Sequence, residues 1–68
     1  MQIFSERLKE LRIQAGLTQS QVAQHLNIRQ QSYARYEANT GEPDLTTLTI
    51  LAKLFNVSSD YLIGLSDF

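Results

Sequence analysis

Apolar residues in this chain recur at helical intervals. Ile3, Phe4, Leu8, Leu11 and Ala15 fall at three- and four-residue steps with Arg7, Lys9, Glu10 and Arg12 among them, which predicts an amphipathic first helix. Gly16 supplies its left-handed stop. Thr18 stands three residues before Gln21, and Leu17 can pack on Val22. That combination of capping box and hydrophobic staple starts a second helix, with Val22, Ala23 and Leu26 as its buried stripe. Asn27 ends it, since a short polar side chain tolerates positive φ.

Ile28 and Tyr33 repeat the staple spacing, so a third helix is expected from about Gln30 to Ala38. Arg29 is then its formal cap, a poor one because arginine has no side-chain acceptor for the orphan amides. Asn39, Gly41 and Pro43 mark a loop, and Asp44 caps a fourth helix whose Leu45, Leu48, Leu51, Ala52 and Phe55 face inward. Val57, Ser58 and Leu62 repeat staple and cap for a short fifth helix ending near Gly64. No segment alternates as a strand would. The expected architecture is an all-α, compact five-helix bundle, one domain over residues 1–68.

Composition narrows the function classes. A chain of 68 residues buries a low fraction of its surface and has no room for a second core. Without cysteine, neither disulfides nor a thiolate metal site can staple it, so helix packing must supply the stability. Its longest apolar runs are a few residues, such as Tyr61-Leu62-Ile63, and no basic segment leads into a long apolar one. A cytoplasmic protein, neither membrane-bound nor secreted, is expected. The formal net charge of -1 conceals an asymmetry. Residues 1–36 carry +3, and residues 37–68 carry -4.

The link between the second and third helices, Leu26-Asn27-Ile28-Arg29, allows only a sharp corner, as in a helix-turn-helix. At about 100° per residue, Tyr33, Tyr36 and Glu37 share one sector of the third helix, while Gln30, Gln31, Ala34 and Arg35 occupy the opposite arc. The tyrosines read as core residues rather than as stacking platforms for bases. The free face holds two amides and a guanidinium around a small alanine. Glutamine pairs bidentately with adenine, arginine with guanine, and alanine meets the thymine methyl, so this face suits reading base edges.

Residues 7–64 resemble the phage repressor and Cro (XRE-type) helix-turn-helix family. The matching runs are Arg7-Leu8-Lys9-Glu10-Leu11-Arg12, Gly16-Leu17-Thr18-Gln19, Val22-Ala23, Tyr33-Ala34-Arg35-Tyr36-Glu37, Pro43-Asp44-Leu45 and Leu51-Ala52-Lys53. The resemblance implies base reading by Gln30, Gln31 and Arg35. It assigns Gln19, Ser32, Arg29, Asn39 and Thr40 to the DNA backbone, with Gln19 also bracing the recognition helix. Arg12 and Glu37 correspond to a structural ion pair, and Arg12 is also a candidate to face a phosphate. The implied function is a sequence-specific regulator, foremost a repressor, of bacterial or phage origin, binding double-stranded operator DNA as a homodimer.

One departure bears on affinity. Family members often carry Asn-Gly followed by a cation after the recognition helix, and here the run is Ala38-Asn39-Thr40-Gly41-Glu42. Missing cations imply weak binding by one protomer, with a shallow salt dependence. The acidic second half and apolar C-terminus keep a competing reading open, in which the scaffold is a protein-interaction module such as an antitoxin or adaptor. An enzyme is not expected, because no carboxylate pair, activated nucleophile or phosphate-binding glycine loop is present. His25, the only histidine, has no cluster of ligands around it and reads as a surface residue. No cofactor or metal is implied.

Overall fold

The computed structural model describes residues 1–68 as five helices: α1 (Gln2–Gln14), α2 (Gln19–Leu26), α3 (Gln30–Glu37), α4 (Leu45–Leu54) and α5 (Ser59–Leu62). The expected all-α bundle is borne out, and the helix limits fall within two residues of those read from the sequence. Three starts use side-chain caps. Thr18 and Gln21 form a reciprocal capping box, Asp44 accepts from the Thr47 amide at 2.7 Å, and Ser58 accepts from the Tyr61 amide at 2.9 Å. Arg29 caps α3 without any side-chain hydrogen bond.

Every helix ends on a left-handed residue: Gly16, Asn27, Asn39, Asn56 and Gly64, with φ between 55° and 86°. At each end a backbone amide reaches back five residues, as in Leu17 to Arg12, Ile28 to Ala23 and Val57 to Ala52. These closures satisfy carbonyls that the helix leaves orphaned and turn the chain sharply. They let helices of 4 to 13 residues follow one another closely.

Each helix contributes one fully buried anchor: Leu8, Val22, Tyr33, Leu51 and Leu62. Burying such a side chain is worth about 1.5–3 kcal/mol, so five of them form the backbone of a marginal stability. Phe4, Ala23, Leu26 and Ala52 complete the core. Its one buried polar residue is Ser5, whose hydroxyl donates at 2.6 Å to the Tyr36 carbonyl and so joins α1 to the end of α3.

Three inward-facing expectations need correction. Leu45 is 82% exposed. It is the first residue of α4 and sits at the margin of the stripe, ahead of the turns that pack on α2 and α5. Ala15 lies in the turn after α1 and is exposed. Ile3 is 38% exposed and packs on Gly64, where a Cβ would come within 2.9 Å of its side chain. Phe55, just after α4, is half-buried and packs against the core, as expected.

Arg7 clamps the far end of α5. Its guanidinium donates to the Tyr61 carbonyl and to the Ser66 carbonyl, lies 4.2 Å above the Tyr61 ring, and sits 3.8 Å from Asp67. A cation at orphan helix carbonyls is stabilised by the charge they carry. Beyond this clamp, Leu65 and Phe68 remain largely exposed.

Candidate nucleic-acid interface

Helix α3 is held on its inner side and open on its outer side. Tyr33 is fully buried, and its ring meets that of Tyr36 edge to face at 6.0 Å, while Tyr36 meets Phe4 in the same manner at 6.5 Å. Edge-to-face packing adds about 0.5–1.5 kcal/mol per pair beyond burial and fixes the rotation of the helix about its axis. That rotation leaves Gln30, Gln31, Ser32 and Arg35 exposed on the other side, with Ala34 half-buried between them.

A buried carboxylate locks the arrangement. Glu37, whose side chain is 4% exposed, receives Nε of Arg12 at 2.6 Å and the second guanidinium nitrogen at 3.1 Å. It also accepts from the Tyr33 hydroxyl at 2.5 Å and the Gln19 amide at 3.2 Å. Burial alone would push this carboxyl up, but the bonds from Arg12, Tyr33 and Gln19 outweigh it and hold the group below its ordinary range. The hydrogen bond to Glu37 raises Arg12 further, and burial, followed by that same carboxylate, raises Tyr33.

Arg12 spends a third donor on the Leu17 carbonyl at 3.0 Å. With three of its five N–H groups bonded inside the protein, it is a strut among α1, α3 and the turn before α2, and its side chain stays 15% exposed at the open hollow beside Gln19. Gln19 connects this strut to the surface, since its carbonyl accepts from the Gln30 amide at 3.1 Å. Gln30 is therefore exposed but tied, whereas Gln31 and Arg35 make no side-chain hydrogen bond within the protein.

Arg29 is exposed at the start of α3. Asn39 accepts from the Met1 ammonium at 2.7 Å, and the Thr40 hydroxyl lies 3.5 Å from the Arg35 carbonyl, so both keep to the loop after α3. Lys9, which the sequence reading did not single out, lines an open hollow with Arg12, Gln19, Ala34, Glu37 and Ala38. Its signal was its spacing three residues before Arg12, which puts both cations on one face of α1. His25 is exposed on α2.

Two short helices joined by a left-handed asparagine corner, the second pinned by its aromatic face, make this a helix-turn-helix protein. The chain belongs to the helix-turn-helix family, whose model matches residues 8–62. It is 48% identical over 61 residues to the HTH-type transcriptional regulator ImmR of Bacillus subtilis, covering 90% of this chain and 48% of that one. Over 65 residues it is 32% identical to the cryptic phage CTXphi transcriptional repressor RstR of Vibrio cholerae, covering 96% of this chain and 59% of that protein. A crystal structure of a transcriptional regulator from Listeria innocua superposes with a TM-score of 0.86 at 36% identity, covering 90% of this chain and 57% of that one. The chain spans about half the length of the relatives it matches. The resemblance read from the sequence is thus borne out. No helix is long and apolar enough to cross a membrane.

Proposed function

We propose that this chain is the single DNA-binding domain of a transcriptional regulator, foremost a repressor, that lays α3 in the major groove of an operator. The observation that carries this reading is the joint exposure of Gln30, Gln31 and Arg35 on a helix whose opposite side is fixed by Tyr33 and Glu37. Membership of the helix-turn-helix family and the regulators and repressor among its relatives support it. Gln30 and Gln31 have the donor and acceptor pair that adenine presents in reverse, and Arg35 has the fork that matches guanine.

Gln19, Ser32 and Arg29 border this face and serve the sugar-phosphate backbone, together with Lys9 in the hollow beside Gln19. Asn39 and Thr40 approach the backbone through their loop. One protomer covers too few base pairs for an operator, so two copies related by a two-fold axis read half-sites about 34 Å apart. Repression follows from occupying a promoter.

Selecting bound sequences from a random DNA pool tests the reading, with enrichment of a two-fold symmetric site as the expected result. Gln31→Ala should lose discrimination at one base pair of each half-site, by roughly 1–3 kcal/mol. A pool that emerges unenriched, alongside stoichiometric capture of a protein partner, would favour the interaction module instead.

A further inference from the structure

Arg35 stands in the last turn of α3, exposed and without a side-chain hydrogen bond inside the protein, so only its neighbours decide where its long stem points. On one side those neighbours belong to the preceding turn, over which helical side chains lean. On the other side lies the loop that follows α3. Asn39, with φ of 60°, turns that loop back, and the Thr40 amide donates to the Arg35 carbonyl at 3.0 Å. Gly41 is thereby laid against the foot of the Arg35 side chain: a Cβ built there would meet the Arg35 Cβ at 3.4 Å and, outside its chain neighbours, no other atom within 4 Å. The backbone does not demand glycine at this position, since Gly41 has no left-handed φ, unlike Gly16 and Gly64. What the missing side chain provides is room along one flank of Arg35.

We propose that Gly41 is a positioning residue for specificity: it keeps the flank of the Arg35 stem clear, so that the guanidinium can settle in the plane of a guanine edge and bond O6 and N7 together. Two parallel bonds need the fork aligned as well as within reach, and that alignment begins with the torsions nearest the helix. A branched side chain at position 41 would press on Cγ of Arg35, the first atom beyond the 3.4 Å contact, and turn the fork out of register with the base. The hydrogen bonds of the loop run through Asn39, Thr40 and Glu42, so a side chain at position 41 breaks none of them. Its effect is therefore confined to the base pair that Arg35 reads. The inference rests on the proposed reading of DNA by α3.

The test uses the operator selected by the wild-type chain, made in four versions at the base pair where Arg35→Ala loses its preference for guanine. Gly41→Val should lower affinity for the guanine version by about tenfold, the size of one good base contact, and leave the other three versions unchanged. Gly41→Ala, whose single added carbon comes only to van der Waals contact, should keep the preference within about twofold. In an Arg35→Ala background, Gly41→Val should change no affinity by more than about twofold, the margin within which independent substitutions add. Circular dichroism establishes folding, and where Gly41→Val does not fold, Gly41→Leu decides.

A folded Gly41→Val that keeps the wild-type preference overturns the proposal. So does one that loses as much affinity with Arg35→Ala as without it, since the added methyls would then be meeting the DNA and not Arg35. Loss of no preference in Arg35→Ala overturns it too. If the wild-type chain selects no sequence at all, the DNA-reading function has failed and the inference falls with it, whereas a selected operator whose four versions Gly41→Val weakens alike removes the inference alone.

Discussion

The hydroxyl of Tyr33 donates a 2.5 Å hydrogen bond to the carboxylate of Glu37, one turn further along the same helix. The ring of Tyr33 is core, yet its polar tip supports the ion pair that joins α3 to α1. Tyr33→Phe keeps the packing and removes one bond to a charged acceptor, so urea unfolding should reveal a loss of about 1.5–3 kcal/mol. Glu37→Ala strands Arg12 among α1, α3 and the turn before α2, and breaking a buried pair this way costs about 3–5 kcal/mol. A core of this size rarely supplies more than about 3–5 kcal/mol in total. Glu37→Ala should therefore be largely unfolded at growth temperature, and an unchanged midpoint would show that the pair contributes nothing.

The same network predicts how stability varies with pH. Glu37 is held below its ordinary value in the fold, so its contribution is complete above the unfolded value of about 4.3 and is lost as pH falls through the folded one. Asp44, lowered by the Thr47 amide, acts in the same direction. Tyr33 is raised by burial and then by Glu37, so its contribution is complete below about pH 10 and declines above it. Unfolding measured across pH should give a plateau with both shoulders. Glu37→Gln should flatten the acid shoulder in part, and Tyr33→Phe the alkaline one in part, since burial also raises Tyr36; an alkaline decline untouched by Tyr33→Phe would assign it to Tyr36 or another group.

Most of this fold was legible because its signals are local. Thr18, Asp44 and Ser58 announce helix starts by their own chemistry, and the stripes of α1 and α2 follow from spacing alone. What escaped was set by contacts between distant segments. The inward turn of Ser5 depends on the Tyr36 carbonyl, and the clamp of Arg7 on α5 depends on how the last helix returns to the first. Leu45 fits its stripe by periodicity but lies in the first turn, where no neighbour covers it. In the site, the outward face of α3 was readable from Tyr33 and Tyr36. The tie of Gln30 was half visible: on the helical projection it lies only about 20° from Glu37, at the border between the faces.

Two glycines with left-handed backbone should respond differently to substitution. A Cβ at Gly16 meets nothing within 4 Å, so Gly16→Ala carries only the conformational cost of about 1–2 kcal/mol. At Gly64 the added carbon would also sit 2.9 Å from the Ile3 side chain, and the α1 to α5 contact must shift. Thermal unfolding should place Gly64→Ala below Gly16→Ala by several degrees, about 4–8 °C for each additional kcal/mol. Equal midpoints would mean that Ile3, already part-exposed, moves aside freely.

The electrostatics of the face set its response to salt. Lys9, Arg29 and Arg35 are the exposed cations around α3, while the loop that follows ends in Glu42, paired with the Met1 ammonium at 3.2 Å. With Arg35 reading a base, Lys9 and Arg29 give two phosphate contacts per protomer and about four per dimer, and at roughly -0.9 per contact the slope of log affinity against log salt should be about -4. Anisotropy titrations on operator DNA across a range of salt measure it, and a steeper slope would require phosphate contacts by cations beyond these two. Glu42→Lys supplies the cation that the loop lacks. It should steepen the slope by about 2 per dimer and strengthen binding to operator and unrelated DNA alike, since a phosphate contact carries no sequence information. If Glu42→Lys instead changes which sequence is preferred, the loop reaches the bases and α3 does not read them alone.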